Sequence, residues 1–374
     1  MQQGSGPERH HLVVSRPWTR RALLGLLPAG LWAATRKQHK AEPLPSAGEF
    51  YRFADPTTET LVVRLTTPSY ASILPAPDRR FVLLKPRLLF CSSDRAGGRL
   101  APFEIDLRTG AMRQIAETTA LDAASLSLDG QGKALYFLDG GRLKQVPINT
   151  KREARLAEPE TLAEDVTAYG IGASRAEFFA IRRGQLQRLG QNDASTLAEG
   201  AEGPCLVRPG GAGCLFGRRS TAGEPEFWYV SANTRPVLLA AGPIRNPYWS
   251  VDGHSLLFLR DVPVNSVFVS QLREISPEER VERCVAATSQ FASFAPNGND
   301  SVFVGASRSK AQPNIVLMLR SPQREMTLCE HRTSRPAEAH PNFSPDSRRV
   351  YFQSDREGKP AIYSVNVEQL VEPT

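Results

Sequence analysis

The chain has 374 residues, 41% hydrophobic and 8% aromatic, so it can bury a sizeable core, and all-β barrels and propellers reach this length as one unit. Five cysteines are an odd, low count, which excludes a small scaffold dependent on disulfides. The net charge of +7 does not mark a nucleic-acid binder, because Arg9, Arg16, Arg20, Arg21, Arg36, Lys37 and Lys40 face only Glu8 within residues 1–40, and the remainder is close to neutral.

That basic start reads as a targeting segment. Thr19-Arg20-Arg21-Ala22-Leu23-Leu24 has the form of a twin-arginine motif, and the apolar run Ala22 to Ala34 is too short to span a bilayer. The reading is residues 1–40 as signal and linker, with cleavage near Ala33-Ala34, and residues 41–374 as one domain. The mature chain is expected in the periplasm or secreted, a monomer with no membrane span. No Cys directly follows the apolar run, so no lipid anchor is expected.

Next in the chain comes TLVVRLT (60–66), an alternating strand with no partner nearby in sequence. It is followed by seven apolar strands, ending at Phe90, Phe137, Phe179, Phe216, Phe258, Val304 and Phe352, at spacings of 47, 42, 37, 42, 46 and 48 residues. A period of roughly 40–50 residues with four short strands per unit is the signature of a propeller blade. The turns agree. SLDGQGKALYF (127–137), WSVDGHSLLF (249–258), FAPNGNDSVFV (294–304) and FSPDSRRVYF (343–352) each place a hairpin turn of the Asp-Gly or Asn-Gly type before the strand. The expected fold is therefore all-β, a seven-bladed propeller. Its last unit lacks an outer strand, and TLVVRLT is expected to supply it, closing the ring.

In such a ring the loops entering each inner strand converge beside the channel mouth, where ligands are expected. The entry slots offer Tyr70, Asp122, Asn246, Gln290 and His340, with Glu338 two residues before His340. A His, a carboxylate and amides brought together can hold a divalent metal. His331 lies nine residues before His340, so both can reach one site; the competing reading is a hydrogen-bonded pair ordering a long loop. His254, in VDGHS, reads as a solvated turn residue, and Asp94-Arg95 and Asp355-Arg356 as local turn-forming pairs. GASRS (305–309) fails as a nucleophile elbow, and no phosphate loop, Cys-x-x-Cys or His-Glu-x-x-His occurs.

Taken together, SSDRAGG (92–98), FEIDLRTGAMRQI (103–115), LCEHRTS (328–334) and HPNFSPDSRRVYFQSDREGKPAIY (340–363) resemble the oligogalacturonate lyase family, seven-bladed propellers related to TolB-type repeats. The likeness runs from about Phe50 to Val371. It implies β-elimination of short polygalacturonate chains. There, three His and a Gln hold a manganese-type ion that acidifies the proton beside the uronate carboxylate, and a basic residue removes it. Carried onto this sequence, His340 matches the second His of the family's His-Pro-His-Pro, Glu338 stands in place of the first, and Arg335 lies near the Gln. Gln290 or Asn246 takes the slot of a His from an earlier blade. The expected metal ligands, for Mn²⁺ or another divalent cation, are thus His331, Glu338, His340 and Gln290, with Tyr70, Asn246 and Arg335 contacting substrate; the catalytic base is not assigned. A second reading of the same face stays open, a TolB-like propeller that engages a protein or an envelope glycan without turnover.

Overall fold

The computed structural model describes residues 48–85, 87–148, 156–172, 178–190, 194–210, 213–231, 234–288 and 290–372; the expected export segment lies outside them. The strands form seven antiparallel sheets. Blade 1 combines Ser72–Ile73 and Val82–Leu83 with Leu88–Ala96, Arg99–Asp106 and Met112–Gln114. Blade 2 runs Ser127–Leu128, Ala134–Asp139, Arg142–Pro147, Glu160–Ala163, and blade 3 Val166–Ile171, Phe178–Arg182, Gln185–Leu189, Ala194–Glu199. Blade 4 is Glu202–Val207, Gly213–Arg219, Pro225–Ser231, Val237–Ala241, and blade 5 Ile244–Trp249, Leu256–Val264, Val267–Ile275, Glu282–Ala287. Blade 6 is Phe291–Pro296, Val302–Ser307, Asn314–Leu319, Glu325–Glu330. Blade 7 takes Asn342–Phe343, Arg349–Ser354 and Ala361–Asn366 from the C-terminal end of the described chain, then Leu61–Arg64 and Tyr51–Ala54 from its N-terminal end.

The closure expected from TLVVRLT is present: Val62, Val63 and Arg64 lie opposite Val365, Ser364 and Tyr363. Tyr51–Ala54 adds a fifth strand outside it, which the sequence reading did not include. Inner strands of successive blades touch, from blade 3 through to blade 7. The seven repeat-marking residues, Phe90 to Phe352, all occupy the second strand of their blade and are wholly buried. They pack between neighbouring sheets, as where Phe258 of blade 5 meets Phe227 of blade 4 edge-on at 6.1 Å. Each of the six Phe is worth about 3–5 kcal/mol against truncation to Ala.

The repeated turns share a mechanism. Ser250 Oγ donates to Asp252 Oδ1 and Ser344 Oγ to Asp346 Oδ1, both at 2.6 Å, so each hydroxyl is held in place to accept an N–H at the start of the next strand, from Ser255 just before it and from Arg349 as its first residue. Gly253 at φ +71° is required there, since a Cβ would stand 2.2 Å from the Pro209 carbonyl. Among the described residues the only helical turn is the 3-10 segment Pro336–Glu338, and no helix is long and apolar enough to cross a membrane.

Candidate functional site

Between the two inner segments of blade 1, the loop PAPDRR (75–80) reaches other blades of the ring. Leu74 N–H donates to Gln353 Oε1 at 2.6 Å, and the Leu74 carbonyl accepts from His340 Nδ1 at 3.1 Å, both in blade 7 or its entry. Asn342 Nδ2 donates to the Pro77 carbonyl, while Ala76 N–H reaches the Ala124 carbonyl of the loop entering blade 2. Further along, the Arg79 guanidinium lies 4.4 Å over the Tyr169 ring of blade 3, with its Nε 3.3 Å from Asp78. Tyr169 is wholly buried and donates its hydroxyl proton to the Ser125 carbonyl. Arg79 thus reaches blade 3, which is not a neighbour of blade 1, while the Arg80 carbonyl accepts the Leu128 N–H of blade 2.

Three entry-slot residues share a backbone feature. Asn246, Gln290 and His340 have φ of 49°, 61° and 45°, a left-handed conformation uncommon outside Gly. In blades 5 and 6 it coincides with an irregularity in the inner strand, which re-aims the chain at the mouth.

The two late histidines have separate tasks. His331 is wholly buried; its Nδ1 accepts the Thr333 N–H at 3.1 Å, so Nε2 carries the proton and donates to the Ser307 carbonyl at 2.9 Å. Neither nitrogen has a lone pair left for a metal. Burial lowers its pKa despite the Ser307 bond, which keeps the ring neutral. His340, half-buried, donates from Nδ1 to Leu74, leaving Nε2 as the lone-pair nitrogen; burial again lowers its pKa, against the opposing pull of Asp78 and Glu338. Glu338 is exposed and paired to Arg335 Nη1 at 3.3 Å. These two, with Ser334, Gln353 and Asp355, line a cleft of about 250 Å³ between the entry loop and blade 7.

Tyr70 lies in the segment entering blade 1, 41% exposed, with the Arg95 guanidinium 4.8 Å over its ring. Asp122 accepts the Ala124 N–H and serves its own loop. The expected turn pairs reach farther than a local turn: Arg95 binds Glu49, Asp94 binds Lys359 at 2.6 Å, and Arg356 stacks 5.3 Å over Phe53. His254 is exposed in its turn, its N–H donating to Asp252.

Arg245, which adjoins Asn246, and Arg308, whose N–H donates to the Gln290 carbonyl, belong to a cluster that sequence reasoning missed. Arg245 Nη1 approaches Asp261 Oδ2 at 2.7 Å, and Arg308 Nη2 approaches Asp261 Oδ1 at 2.9 Å. Ser270 Oγ donates to Asp261 at 2.9 Å and accepts from both arginines. Burial would raise the Asp261 carboxyl, but hydrogen bonds from Arg308, Arg245 and Ser270 overcome it and hold it at about 2. Two guanidinium groups on one carboxylate leave a net positive charge. The arginine side chains remain 28% and 34% exposed, with N–H donors free for an anion. The available signals were weak: Arg245 adjoins the entry-slot Asn246, and Arg308 lies in the discarded GASRS.

The residues expected to hold a divalent ion do not fit one. His331 is closed off, Glu338 is neutralised by Arg335, and Gln290 lies beside the Arg245–Arg308 cluster, its carbonyl accepting the Arg308 N–H. Among the described residues, no three His, Cys, Asp or Glu side chains come together as metal ligands.

No family model and no curated protein matches the chain. Among solved structures, it is similar to an oligogalacturonate lyase in complex with manganese, at 18% identity and TM-score 0.73, over 86% of this chain and 96% of that one. It is likewise similar to the oligogalacturonate lyase of Vibrio parahaemolyticus, at 16% identity and TM-score 0.71, over 86% and 97%. The β-propeller domain of Cps50 (Swd1) from Myceliophteria thermophila matches at 13% identity and TM-score 0.55, over 80% and 99%. These are likenesses of fold. The architecture implied by the sequence resemblance is the one that the two lyase structures share with this chain.

Proposed function

We propose that this is an exported, monomeric propeller that binds uronate-containing oligosaccharide on its entry-loop face, without metal-assisted elimination. The observation that carries the reading is the pair Arg245 and Arg308 sharing the single carboxylate of Asp261 beside Asn246 and Gln290. In this reading a uronate carboxylate accepts from both guanidinium edges, and the Asn246 and Gln290 amides bond ring hydroxyls. His340, neutral and with Nε2 as a lone-pair nitrogen, and the Arg335–Glu338 cleft extend the face toward blade 7 for further sugar units. The twin-arginine motif at Thr19 to Leu24 supports export.

The test is calorimetric titration of the purified chain with trigalacturonate and with neutral maltotriose, in chelator and then in Mn²⁺. Trigalacturonate is expected to bind in chelator, maltotriose not, and Arg308→Gln to weaken binding about tenfold by removing a charged hydrogen-bond donor. A requirement for Mn²⁺, or a rise in ultraviolet absorbance from unsaturated product, would restore the lyase reading. Absence of binding to either sugar would favour a propeller that engages a protein on the same face.

A further inference from the structure

The second and third strands of blade 5, Leu256–Val264 and Val267–Ile275, are nine residues each, against six in blades 6 and 7. The extra length projects from the entry-loop face as a hairpin turning at Asn265 and Ser266, both at positive φ, as a two-residue turn requires. Its tip is apolar and bare. Val267 is 58% and Phe268 61% exposed.

The register decides what this tip adjoins. Asp261 is paired with Ser270, and Pro263 with Phe268. Directly opposed residues share a face of a hairpin, and so do residues two apart along a strand. Asp261, Pro263, Phe268 and Ser270 therefore stand on one side, which is also the side that Arg245 and Arg308 occupy, since both bond Ser270 Oγ. Two residues of strand separate Phe268 from Ser270, about 7 Å. A bare aromatic ring is thus held one sugar width from a two-guanidinium clamp. A pyranose carries its carboxylate at the ring edge and presents axial C–H groups on one face, so a single uronate unit can meet both features at once.

We infer that Phe268, backed by Pro263, is the stacking platform that makes the Arg245–Arg308 clamp select a uronate pyranose over other carboxylates. The inference rests on the anionic-sugar reading above. Phe268 contributes dispersion against the sugar face, and the arginines neutralise its charge. The remaining apolar tip residues, Val264 and Val267, alternate to the opposite side and take no part.

The experiment compares trigalacturonate with triglutamate, an open-chain anion of the same side-chain charge, on wild type, Phe268→Ala, Phe268→Trp and Arg308→Gln. Phe268→Ala is expected to weaken trigalacturonate binding about tenfold. Phe268→Trp should retain binding and add a tryptophan fluorescence change on titration. Triglutamate should bind more weakly to wild type and be indifferent to Phe268. Trigalacturonate affinity that survives Phe268→Ala while falling in Arg308→Gln would overturn the platform and leave the anionic-sugar reading standing. No trigalacturonate binding by wild type would remove both. Triglutamate binding as tight, and as dependent on Phe268, would reassign the surface to an acidic peptide.

Discussion

Val62 lies directly opposite Val365, so the two ends of the described chain meet in one sheet, both side chains buried. The closure is latched outside the sheet: Asp55 Oδ2 accepts the Glu330 N–H at 2.9 Å, and Thr58 Oγ1 donates to the Leu328 carbonyl at 2.7 Å, joining this segment to blade 6. Removing residues 48–66 leaves Ala361–Asn366 as a bare edge. The expected result is loss of a single cooperative urea transition and aggregation on refolding. Val62→Ala, which only thins the contact, should cost about 2 kcal/mol with the transition still cooperative.

Arg79 is held by a buried ring rather than by water, so its loss is expected to destabilise the fold. Arg79→Ala forfeits a desolvated cation–π contact and should cost about 2 kcal/mol in urea denaturation. Tyr169→Phe, which removes only the hydroxyl bond to Ser125, should cost about 1 kcal/mol. No loss of stability in Arg79→Ala would show that the guanidinium contributes nothing.

Asp261 gives the anion cluster an acid limit. Its folded pKa, about 2, is below the usual 3.8, so the stability it contributes is present above pH 3.8 and is lost as pH falls toward 2. Asp261→Asn should flatten the fall in melting temperature across that window. An unchanged acid slope in Asp261→Asn would show that the arginines do not hold the carboxylate in solution.

The histidines act in a higher window. Both His331 and His340 are lowered by burial, so the fold favours their neutral forms; stability is full above about pH 6.5 and declines as pH falls below it. Melting temperature should drop between pH 7 and 5, and His331→Asn should blunt the drop at some cost in stability at pH 7. If the decline in both His331→Asn and His340→Asn matches that of wild type, neither ring is its source.

Four of the five cysteines are buried and Cys284 is exposed. Burial pushes the Cys91 thiol up to about 12, and Cys214, held against Cys205 with sulfurs 3.5 Å apart, is raised as well. An aromatic disulfide reagent should titrate one thiol in the native protein and five in urea, provided the chain is kept reduced. Loss of two of the five in urea after air oxidation would indicate that Cys205 and Cys214 had paired.

The sequence was legible where one residue does one repeated job. The Phe90 to Phe352 series marks second strands because every blade must bury the same slot, and the Ser-x-Asp turns reuse one hydrogen bond. The closing strand was legible from an unpaired alternating segment at one end and a missing strand at the other. His331 was not, because nothing local to LCEHRTS indicates that the Ser307 carbonyl, 24 residues earlier, would accept its Nε2–H. The loop of blade 1 was equally hidden: PAPDRR reads as a polar turn, and only the ring brings Tyr169 over Arg79.

Composition, period and turn chemistry by themselves determined that this chain is a closed ring of seven blades, since strand spacing and left-handed turns are local properties that each repeat states again. Which side chains meet was decided by tertiary structure alone. Arg245, Asp261, Ser270 and Arg308 span 63 residues of sequence, and contacts across blades depend on how sheets rotate about a common axis, which no stretch of the chain encodes alone.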